Sequence, residues 1–485
     1  MTLDTLRARG EAMCEELGRE SYRAGAGLLA ETRFAAIFAR FPDLADDAAW
    51  TVARGHRELF EWVVENRVGR EVAVLDDRLH AWEAAAEVTV NGGERMPYQR
   101  VAIAIANEPN RERRLLLDAA RRRVLAEPAA IRRDRLGRER ELLAPLAAGD
   151  HVAARSALMG IDLDALAAGC ARYLGATRDM YFDLLKERLR GELGLEPGAA
   201  DRSDGAYLFR GASYDDVFPA ADLVAVARRQ VGEMGLDAEA SGRIRYDTED
   251  RERKRARAFC APVRVPEEVY LVIRPHGGHV DYRAFWHELG HALHFANAGR
   301  DLAFEHRWLG DNSVTEAYAM LFERMLMTRA WLARYTALRG ERLTAFLRAQ
   351  HFALLAIVRR YAAKLCYEVE LHRSPSLDAG AQRYPEILTA ATGFRYAEED
   401  ALLDLDDGFY AARYLRAWQL EATVWAHLTS RFDEDWFRNP RTGPVVADLL
   451  SRGQREDAVA LARSAFGTEL TFAPLVAACE AALAS

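Results

Sequence analysis

The 485-residue chain has few of the residues that build disulfide frameworks or cysteine-bound metal centres. Its five cysteines are far apart and form no C-x-x-C pair, so we expect neither kind of site and a reducing compartment. The first 20 residues are charged throughout and lack the apolar core of a signal peptide. No stretch approaches the roughly 18 apolar residues of a membrane span. These absences predict a cytoplasmic protein with no membrane partner.

An excess of positive charge is also absent. The formal net charge is −8, which argues against nucleic acid as a partner. Residues 111–145 are rich in arginine and could form a nucleic-acid-binding helix, but the acidic total favours a solvated helix with internal ion pairs. Hydrophobic residues make up 50% of the chain, enough for a sizeable core and too many for a disordered protein.

Strand signals are scarce, and most of the sequence repeats apolar residues at spacings of three and four, as in residues 22–40 and 48–66. Only residues 87–90 and 267–274 have the composition of short strands. The sequence therefore predicts a mainly α fold that contains a small β-sheet.

One polar loop, at residues 196–206, is rich in glycine and proline and indicates a domain boundary. It would separate an N-terminal helical region, residues 1–200, from a catalytic region, residues 201–485. A single continuous domain is the alternative.

The segment Asp281–His294 contains the pattern HExxH. On a helix the two histidines, His287 and His291, lie one turn apart on one face and can bind one zinc ion together. Glu288 follows the first histidine and is placed to take a proton from a water molecule at the metal. Apolar residues on either side would bury this helix, and burying two histidines and a glutamate without partners would be costly. The pattern therefore predicts one zinc ion per chain.

A catalytic zinc ion needs a third protein ligand. One class of zinc enzymes takes it from a third histidine in HExxHxxGxxH, but His294 and Asn297 stand at the last two positions here, which excludes that class. His294 shares the helical face of the two histidines but lies a further turn along, so we expect it to pack beside the site or to support a ligand.

Another class uses a glutamate on a following helix. Asp311 begins a helix-start signal, and Glu316 lies in the first turn of the predicted helix, 25 residues after His291. Glu323 lies two turns further along the same face. Glu316 is the predicted ligand, and Glu323 is either the alternative ligand or a residue that orients a histidine.

These features together resemble the thimet oligopeptidase and oligoendopeptidase F family of zinc peptidases. That family has a pattern like K-R-x-G-A-F-C, a short strand, a helix with D-x-x-x-x-x-H-E-x-G-H-x-x-H and then a glutamate ligand. This chain has KRARAFC at residues 254–260, VYLVIR at 269–274, Asp281 six residues before His287, and Glu316, all in the same order.

The resemblance implies a mostly helical fold with a deep cleft, a zinc ion at its floor and short peptides as substrates. It also implies that an extended peptide pairs with the backbone of residues 269–274. The residues after this strand would touch the substrate: His276 by its side chain, and Gly277 and Gly278 by allowing the substrate backbone to approach closely. A loop histidine without a role is the alternative for His276.

The resemblance further implies a late helix whose tyrosines stabilise the oxyanion of the reaction. The matching segment is 408–425, in which Tyr414 aligns best and Tyr410 lies one turn earlier. The histidine that family members have before this helix is absent. Core packing is the alternative for both tyrosines. Arg416, or Arg413, could hold the terminal carboxylate of a peptide, with an ion pair as the alternative.

The leading hypothesis is a zinc oligopeptidase. A zinc carboxypeptidase on a similar helical fold is the nearest alternative, and an arginine near the zinc ion would favour it. A metal-free binding protein that keeps the pattern is the alternative of a different class.

Overall fold

A computed structural model describes all of the chain except residues 30, 91, 237, 238, 240 and 485 and the side chain of residue 484. Most described residues lie in helices, and the described strands form two small sheets, which confirms the predicted mainly α fold. Within the described part of the chain, no helix combines the length and apolar character that crossing a membrane requires.

In chain order the α-helices are α1 Leu3–Gly25, α2 Phe34–Phe38, α3 Asp47–Ala53, α4 Arg57–Ala85, α5 Tyr98–Asn107, α6 Arg111–Arg122, α7 Ala126–Leu143, α8 His151–Met159, α9 Leu163–Ala176, α10 Arg178–Arg188, α11 Arg202–Leu208, α12 Leu223–Glu233, α13 His279–Asn297, α14 Asn312–Met325, α15 Arg329–Tyr335, α16 Gly340–Arg373, α17 Leu377–Ala381, α18 Tyr384–Thr392, α19 Tyr410–Phe432, α20 Thr442–Ser451, α21 Ala458–Phe466 and α22 Ala473–Ala484. The strands are β1 Glu87–Thr89, β2 Arg95–Pro97, β3 Ile244–Asp247, β4 Phe259–Arg264 and β5 Glu268–Val272.

The helices group into two compact units made of interleaved segments. The first unit comprises Met1–Val64, Ser213–His351 and Arg413–Ser485, and the second comprises Glu65–Ala212 and Phe352–Ala412. The division falls within the long helices α4, α16 and α19. The boundary near residue 200 stays a prediction.

The amphipathic stretch at residues 22–40 is not one helix, because α1 ends at Gly25 and α2 begins at Phe34. Gly27 explains part of this break. It adopts a φ of +73°, and a Cβ atom there would lie 2.7 Å from the backbone nitrogen of Lys254. A residue with a side chain would be strained and would clash, so the chain turns here for a reason that periodicity does not reveal.

The three-stranded sheet of the first unit has the order β3-β5-β4. β5 pairs in parallel with β3 and antiparallel with β4, with Cys260 opposite Leu271. Both edges of β5 are therefore occupied by the chain itself. The expectation that a peptide pairs with the backbone of residues 269–274 is wrong for this reason. β4 is an edge strand, and α1 packs against it at Pro262, where a Cβ atom on Gly18 would lie 2.4 Å from the carbonyl oxygen.

Helix α13 packs against β4 and β5 and carries a fully buried aromatic face. Phe285 and Trp286 are 0% exposed, and the Trp286 indole donates a 2.5 Å hydrogen bond to Gln230 of α12. A residue with so large a buried surface and a satisfied N–H fixes the rotation of α13 about its axis. That rotation decides which way the HExxH side chains point.

Candidate metal centre

The crossing of α13 and α14 brings the predicted ligands together. At Gly290, inside the HExxH pattern, an added Cβ atom would lie 2.6 Å from both the Ala319 Cα and the Tyr318 carbonyl oxygen. Only glycine allows the two helix backbones to approach this closely. Ala319 lies one turn after Glu316, so the close crossing carries Glu316 to the histidines of α13.

His287, His291 and Glu316 form a group whose potential ligand atoms all lie within 4.8 Å of one another. The Nε2 atom of His287 is 3.4 Å from Oε2 of Glu316, and the Nε2 atom of His291 is 3.6 Å from the same oxygen. Ligands bound tetrahedrally to zinc at about 2.0–2.2 Å lie about 3.4 Å apart. The donor types and their spacing therefore fit a single zinc ion.

The opposite nitrogen of each imidazole is held by a side chain of α14. The Nδ1 atom of His287 is 3.1 Å from Oε2 of Glu323, and the Nδ1 atom of His291 is 2.9 Å from the hydroxyl oxygen of Thr315. Arg283 donates to Glu323 through its Nε atom at 2.9 Å. Hydrogen bonds at Nδ1 fix the ring orientation and the tautomer that leaves Nε2 free to bind a metal. Of the two glutamates, Glu316 faces Nε2 and Glu323 faces Nδ1.

The charges of this cluster are strongly interdependent. Burial would lower the pKa of His287, but the neighbouring carboxylates of Glu316 and Glu323 outweigh burial and raise it to about 10. Burial would likewise raise the pKa of Glu316, yet the imidazoles of His287 and His291 beside its carboxylate hold that pKa far below the ordinary value. Without a metal ion, a proton on His287 balances the carboxylates, and a bound cation would take over that function.

Glu288 projects from α13 toward β4. Its Oε2 atom accepts a 2.8 Å hydrogen bond from the backbone amide of Cys260. Because this amide is not used in the pairing with β5, the outer edge of β4 faces Glu288. The other carboxylate oxygen accepts no hydrogen bond from the described residues, which leaves it available for a proton from water.

A cavity of about 510 Å³ opens beside His287 and Glu288. One wall comes from the segment that leads into β4 and the other from the first half of α13. The lining residues are Arg255, Arg257, Ala258, Phe259, Val280, Arg283, Ala284, His287, Glu288 and Glu323. All of them belong to the first unit.

The loop before α13 contains His276, Gly277 and Gly278. The backbone amides of His276 and Gly277 donate to Oδ2 of Asp281 at 2.6 and 2.9 Å. Gly278 has a φ of +90°, and a Cβ atom there would lie 2.6 Å from a carboxylate oxygen of Asp215. The close approach of Asp215 explains why glycine stands at position 278, and the two amide hydrogen bonds explain why aspartate stands at position 281. Both residues are accounted for by the conformation of the loop. The His276 side chain is exposed, and a substrate role for these residues stays a prediction.

The two predicted tyrosines lie at the start of α19 and are half-buried. The ring of Tyr414 lies 6.1 Å from that of Trp418, one turn later on the same helix. This contact is equally compatible with a packing role and with an oxyanion donor. The roles of Tyr410 and Tyr414 stay predictions.

Arg416 is only 4% exposed and lies among carboxylates. Its guanidinium is 3.4 Å from Asp457 and 3.7 Å from Asp311, and Arg413 is 3.3 Å from Asp311. Asp311 in turn accepts a hydrogen bond from the amide of Ser313 at the start of α14. These contacts give Arg416 a structural function, namely to hold the cap of the helix that bears Glu316. A substrate carboxylate could bind Arg416 only by displacing one of these partners.

His294 is 1% exposed, with its ring 4.9 Å from that of Tyr318. Burial lowers its pKa to about 4, so the imidazole is neutral near pH 7. It packs beside the cluster and is not one of the three ligand candidates.

Three groups that support the site were not predicted from the sequence: Thr315, Arg283 and the amide of Cys260. Thr315 and Arg283 are ordinary helix residues whose function depends on how α13 and α14 cross. One signal was present for that crossing, because an isolated glycine inside a predicted helix indicates a close approach of another backbone.

Comparison with known proteins gives a clear result for the fold. No protein-family model and no curated protein matches the chain. A crystal structure from Bacillus anthracis str. Ames, described as an oligoendopeptidase F, aligns with 93% of this chain and 81% of its own at a TM-score of 0.63 and 14% identity. Another X-ray structure described as an oligoendopeptidase F aligns with 97% and 86% at a TM-score of 0.65 and 15% identity.

The chain has the oligoendopeptidase F fold. A structure from Chlamydophila abortus, described as a peptidase, agrees with this assignment, covering 99% of this chain and 89% of its own at a TM-score of 0.67 and 11% identity. At such identities the likeness concerns the fold alone, and what the site does must be argued from its residues.

Proposed function

We propose that the chain is a zinc-dependent peptidase that hydrolyses peptide bonds in short peptides. His287, His291 and Glu316 would bind one zinc ion per chain, and Glu288 would act as the general base. The observation that carries the proposal is the convergence of two Nε2 atoms on one oxygen of Glu316, with both Nδ1 atoms already held. The oligoendopeptidase F fold supports the choice of peptides as substrates.

When bound, a zinc ion would polarise the scissile carbonyl group and lower the pKa of a water molecule toward 7. Glu288 supplies the group that receives the water proton and can later pass it to the leaving amine. The Cys260 amide holds Oε2 of Glu288, so the carboxylate is oriented before any substrate binds. Glu323 and Thr315 hold the two imidazole rings in the same way.

The Cys260 carbonyl group, at the start of β4, is the proposed contact for the peptide backbone, because the Cys260 amide already donates to Glu288 and Pro262 has no N–H. β5 has both of its edges paired, whereas the edge of β4 that is not paired with β5 faces Glu288. A substrate N–H that donates to this carbonyl group would hold the peptide at a fixed position relative to Glu288. Such a contact needs an unpaired backbone N–H, which short or unfolded chains offer more readily than a folded protein.

The test combines metal content with one conservative substitution. Purified protein should bind about one zinc ion per chain. Glu288→Gln should retain that zinc ion but lose about 10²- to 10⁴-fold in kcat, because an amide cannot accept the water proton. Glu267→Gln, which changes a carboxylate of the same unit that does not line the cavity, serves as the matched control.

Two outcomes would count against the proposal in different ways. A Glu288→Gln variant that cleaves peptides at a near wild-type rate would show that another group is the base. Protein that neither binds zinc nor gains activity or thermal stability on zinc addition would instead support the metal-free binding protein.

A further inference from the structure

The cavity beside the metal centre carries more positive charge than its carboxylates can balance. Three arginines line it, Arg255, Arg257 and Arg283, together with the carboxylates of Glu288 and Glu323. The volume of about 510 Å³ lies within the range of pockets that bind small ligands. What such a cavity can bind depends on which of these charges already have partners.

Of the two carboxylates, Glu323 is paired with Arg283, and Glu288 keeps one oxygen for the water proton. Glu323 accepts a hydrogen bond from Arg283 and is 3.1 Å from Nδ1 of His287, and Glu288 accepts the amide of Cys260. Arg283 forms an ion pair with Glu323. Arg255 and Arg257 are exposed and form no ion pair or hydrogen bond through their guanidinium groups with the described residues. Arg255 and Arg257 therefore line the cavity without an ion-pair partner among the described residues.

The backbone that carries these two arginines is firmly anchored. The preceding residue, Lys254, has a fully buried side chain whose ammonium donates 2.8 Å hydrogen bonds to the Asp247 carboxylate and to the carbonyl oxygens of Asp247 and Glu249. The Arg255 amide donates to the Gly25 carbonyl oxygen at 2.8 Å. A buried, fully bonded ammonium is costly to move, so the segment presents its arginines from a fixed position.

The side chain of Arg255 also has a defined neighbour inside the cavity. Its guanidinium carbon lies 5.9 Å from the centroid of the Phe259 ring, within the distance of a cation–π contact. Phe259 begins β4, whose next residue provides the amide that holds Glu288. Arg255 thus precedes by five residues the amide that holds Glu288, and both Arg255 and Glu288 line the same cavity.

At residue 257 this chain departs from the K-R-x-G-A-F-C pattern, because it has arginine where the pattern has glycine. Replacement of a residue without a side chain by an arginine fills part of the cavity mouth and adds a planar cation with five donors. Such a group binds carboxylates in a bidentate manner, and more strongly than a neutral donor does.

We propose that Arg255 and Arg257 bind a carboxylate of the substrate close to the scissile bond. This inference rests on the proposed peptidase function and names its substrate class, peptides with a negative charge beside the cleavage point. The carboxylate has two possible sources. It is either the C-terminal carboxylate, which would make the enzyme a carboxypeptidase that releases short C-terminal fragments, or the side chain of an aspartate or glutamate next to the scissile bond.

The test uses two pairs of short quenched-fluorescent peptides with the zinc-loaded full-length protein. One pair differs only in a free or amidated C-terminus, and the other differs only in glutamate or glutamine beside the scissile bond. The cleavage point is mapped by mass spectrometry. We expect the charged member of one pair to be preferred by about 10- to 100-fold in kcat/KM, the contribution typical of hydrogen bonds to a charged group.

Substitutions assign the preference to the arginines. Arg257→Gln and Arg255→Gln should each reduce the preference, and the double variant should bring it close to one. Arg257→Glu should reverse it in favour of a peptide with lysine at the same position, a gain that partial unfolding cannot produce. Arg253→Gln is the matched control, because Arg253 lies in the same segment, is exposed and does not line the cavity.

The outcomes separate this inference from the proposed function. Hydrolysis of both members of both pairs at equal rates would overturn the carboxylate site and leave the peptidase intact. A preference that survives in the double variant would overturn the carboxylate site in the same way. If zinc-loaded wild-type protein hydrolyses no peptide at all, the proposed function fails, and the substrate class fails with it.

Discussion

Two pairs of histidine rings lie close together among the described residues, one pair in each unit, and they behave in opposite ways. In the first unit the rings of His287 and His291 lie 4.9 Å apart, centroid to centroid. In the second unit His151 of α8 stacks on His372 of α16 at 4.4 Å. Ring distance alone therefore does not distinguish a metal centre from a packing contact.

The partners of the ring nitrogens make the distinction. At His287 and His291 both Nδ1 atoms have side-chain partners, and both Nε2 atoms face Glu316. The Nδ1 atoms of His151 and His372 have no hydrogen-bond partner among the described residues. Two imidazoles become a candidate metal site when a third ligand and two orienting partners converge on them.

The pKa values follow the same contrast. Carboxylates raise the pKa of His287 to about 10 against the effect of burial. Burial lowers the pKa of His151 to about 4, and it holds that of His372 well below the ordinary value. The first pair attracts positive charge, which suits a metal cation, and the second pair excludes it.

The largest expected effect concerns the third ligand. Glu316→Ala should reduce zinc affinity by more than about 100-fold, because it removes a ligand oxygen. Glu323→Ala should cost less, about 10- to 100-fold, because it removes only the partner of His287 Nδ1. Isothermal titration with zinc measures both. A larger loss for Glu323→Ala would make Glu323 the ligand and contradict the geometry at Nε2.

The second histidine pair provides the control for that experiment. His151→Phe keeps a ring for stacking on His372 and should leave zinc binding at about one ion per chain. A loss of zinc in this variant would show that the two pairs are not independent and would weaken the comparison.

The next effect concerns the oxyanion. If the Tyr414 hydroxyl donates to the developing oxyanion, Tyr414→Phe should lower kcat by about 100-fold with little change in KM, zinc content or melting temperature. A packing role predicts lower stability with turnover per folded molecule unchanged. Tyr410→Phe is the internal control, one turn earlier on α19. Normal turnover in both variants would leave His276 as the next candidate donor.

The contrast between the two histidine pairs also shows how much the sequence can predict. His287 and His291 are adjacent on one helix, so spacing alone places their rings together. The prediction of Glu316 as a ligand follows from the start signal of α14. Asp311 does cap this helix, as expected. These are local relations, and local periodicity and capping predict them well.

The sequence does not predict contacts between residues that lie far apart along the chain. His151 and His372 are separated by more than two hundred residues, and no pattern predicts that they stack. The pairing of β5 on both edges depends in the same way on β3, which carries no strong strand signal. Gly27 breaks a periodic stretch because of a contact with Lys254, a residue far along the chain. Tertiary contacts decide each of these features.

The last expected effect concerns the pH dependence of stability and the second histidine pair. His151 is 6% exposed and stacked on His372, and its Nε2 atom is 3.6 Å from Glu139. Burial lowers its pKa from the ordinary 6.5 to about 4, and the charges of Arg155 and Arg140 act in the same direction. In the unfolded chain the same imidazole would titrate near its ordinary value.

Between those two values the unfolded state therefore binds more protons than the folded state, and the free energy of unfolding rises with pH. The stability from a neutral His151 is complete above about pH 6.5 and lost as pH falls toward about 4, a loss of about 3 kcal/mol. Denaturant unfolding of wild-type protein across this range should show the slope, and His151→Phe should flatten it. His80→Gln, at an exposed histidine of the same unit, is the control substitution. An unchanged slope in His151→Phe would mean that other groups, such as His372, His294 and the carboxylates, cause the acid sensitivity. The contrast between the two histidine pairs would then rest on their geometry alone.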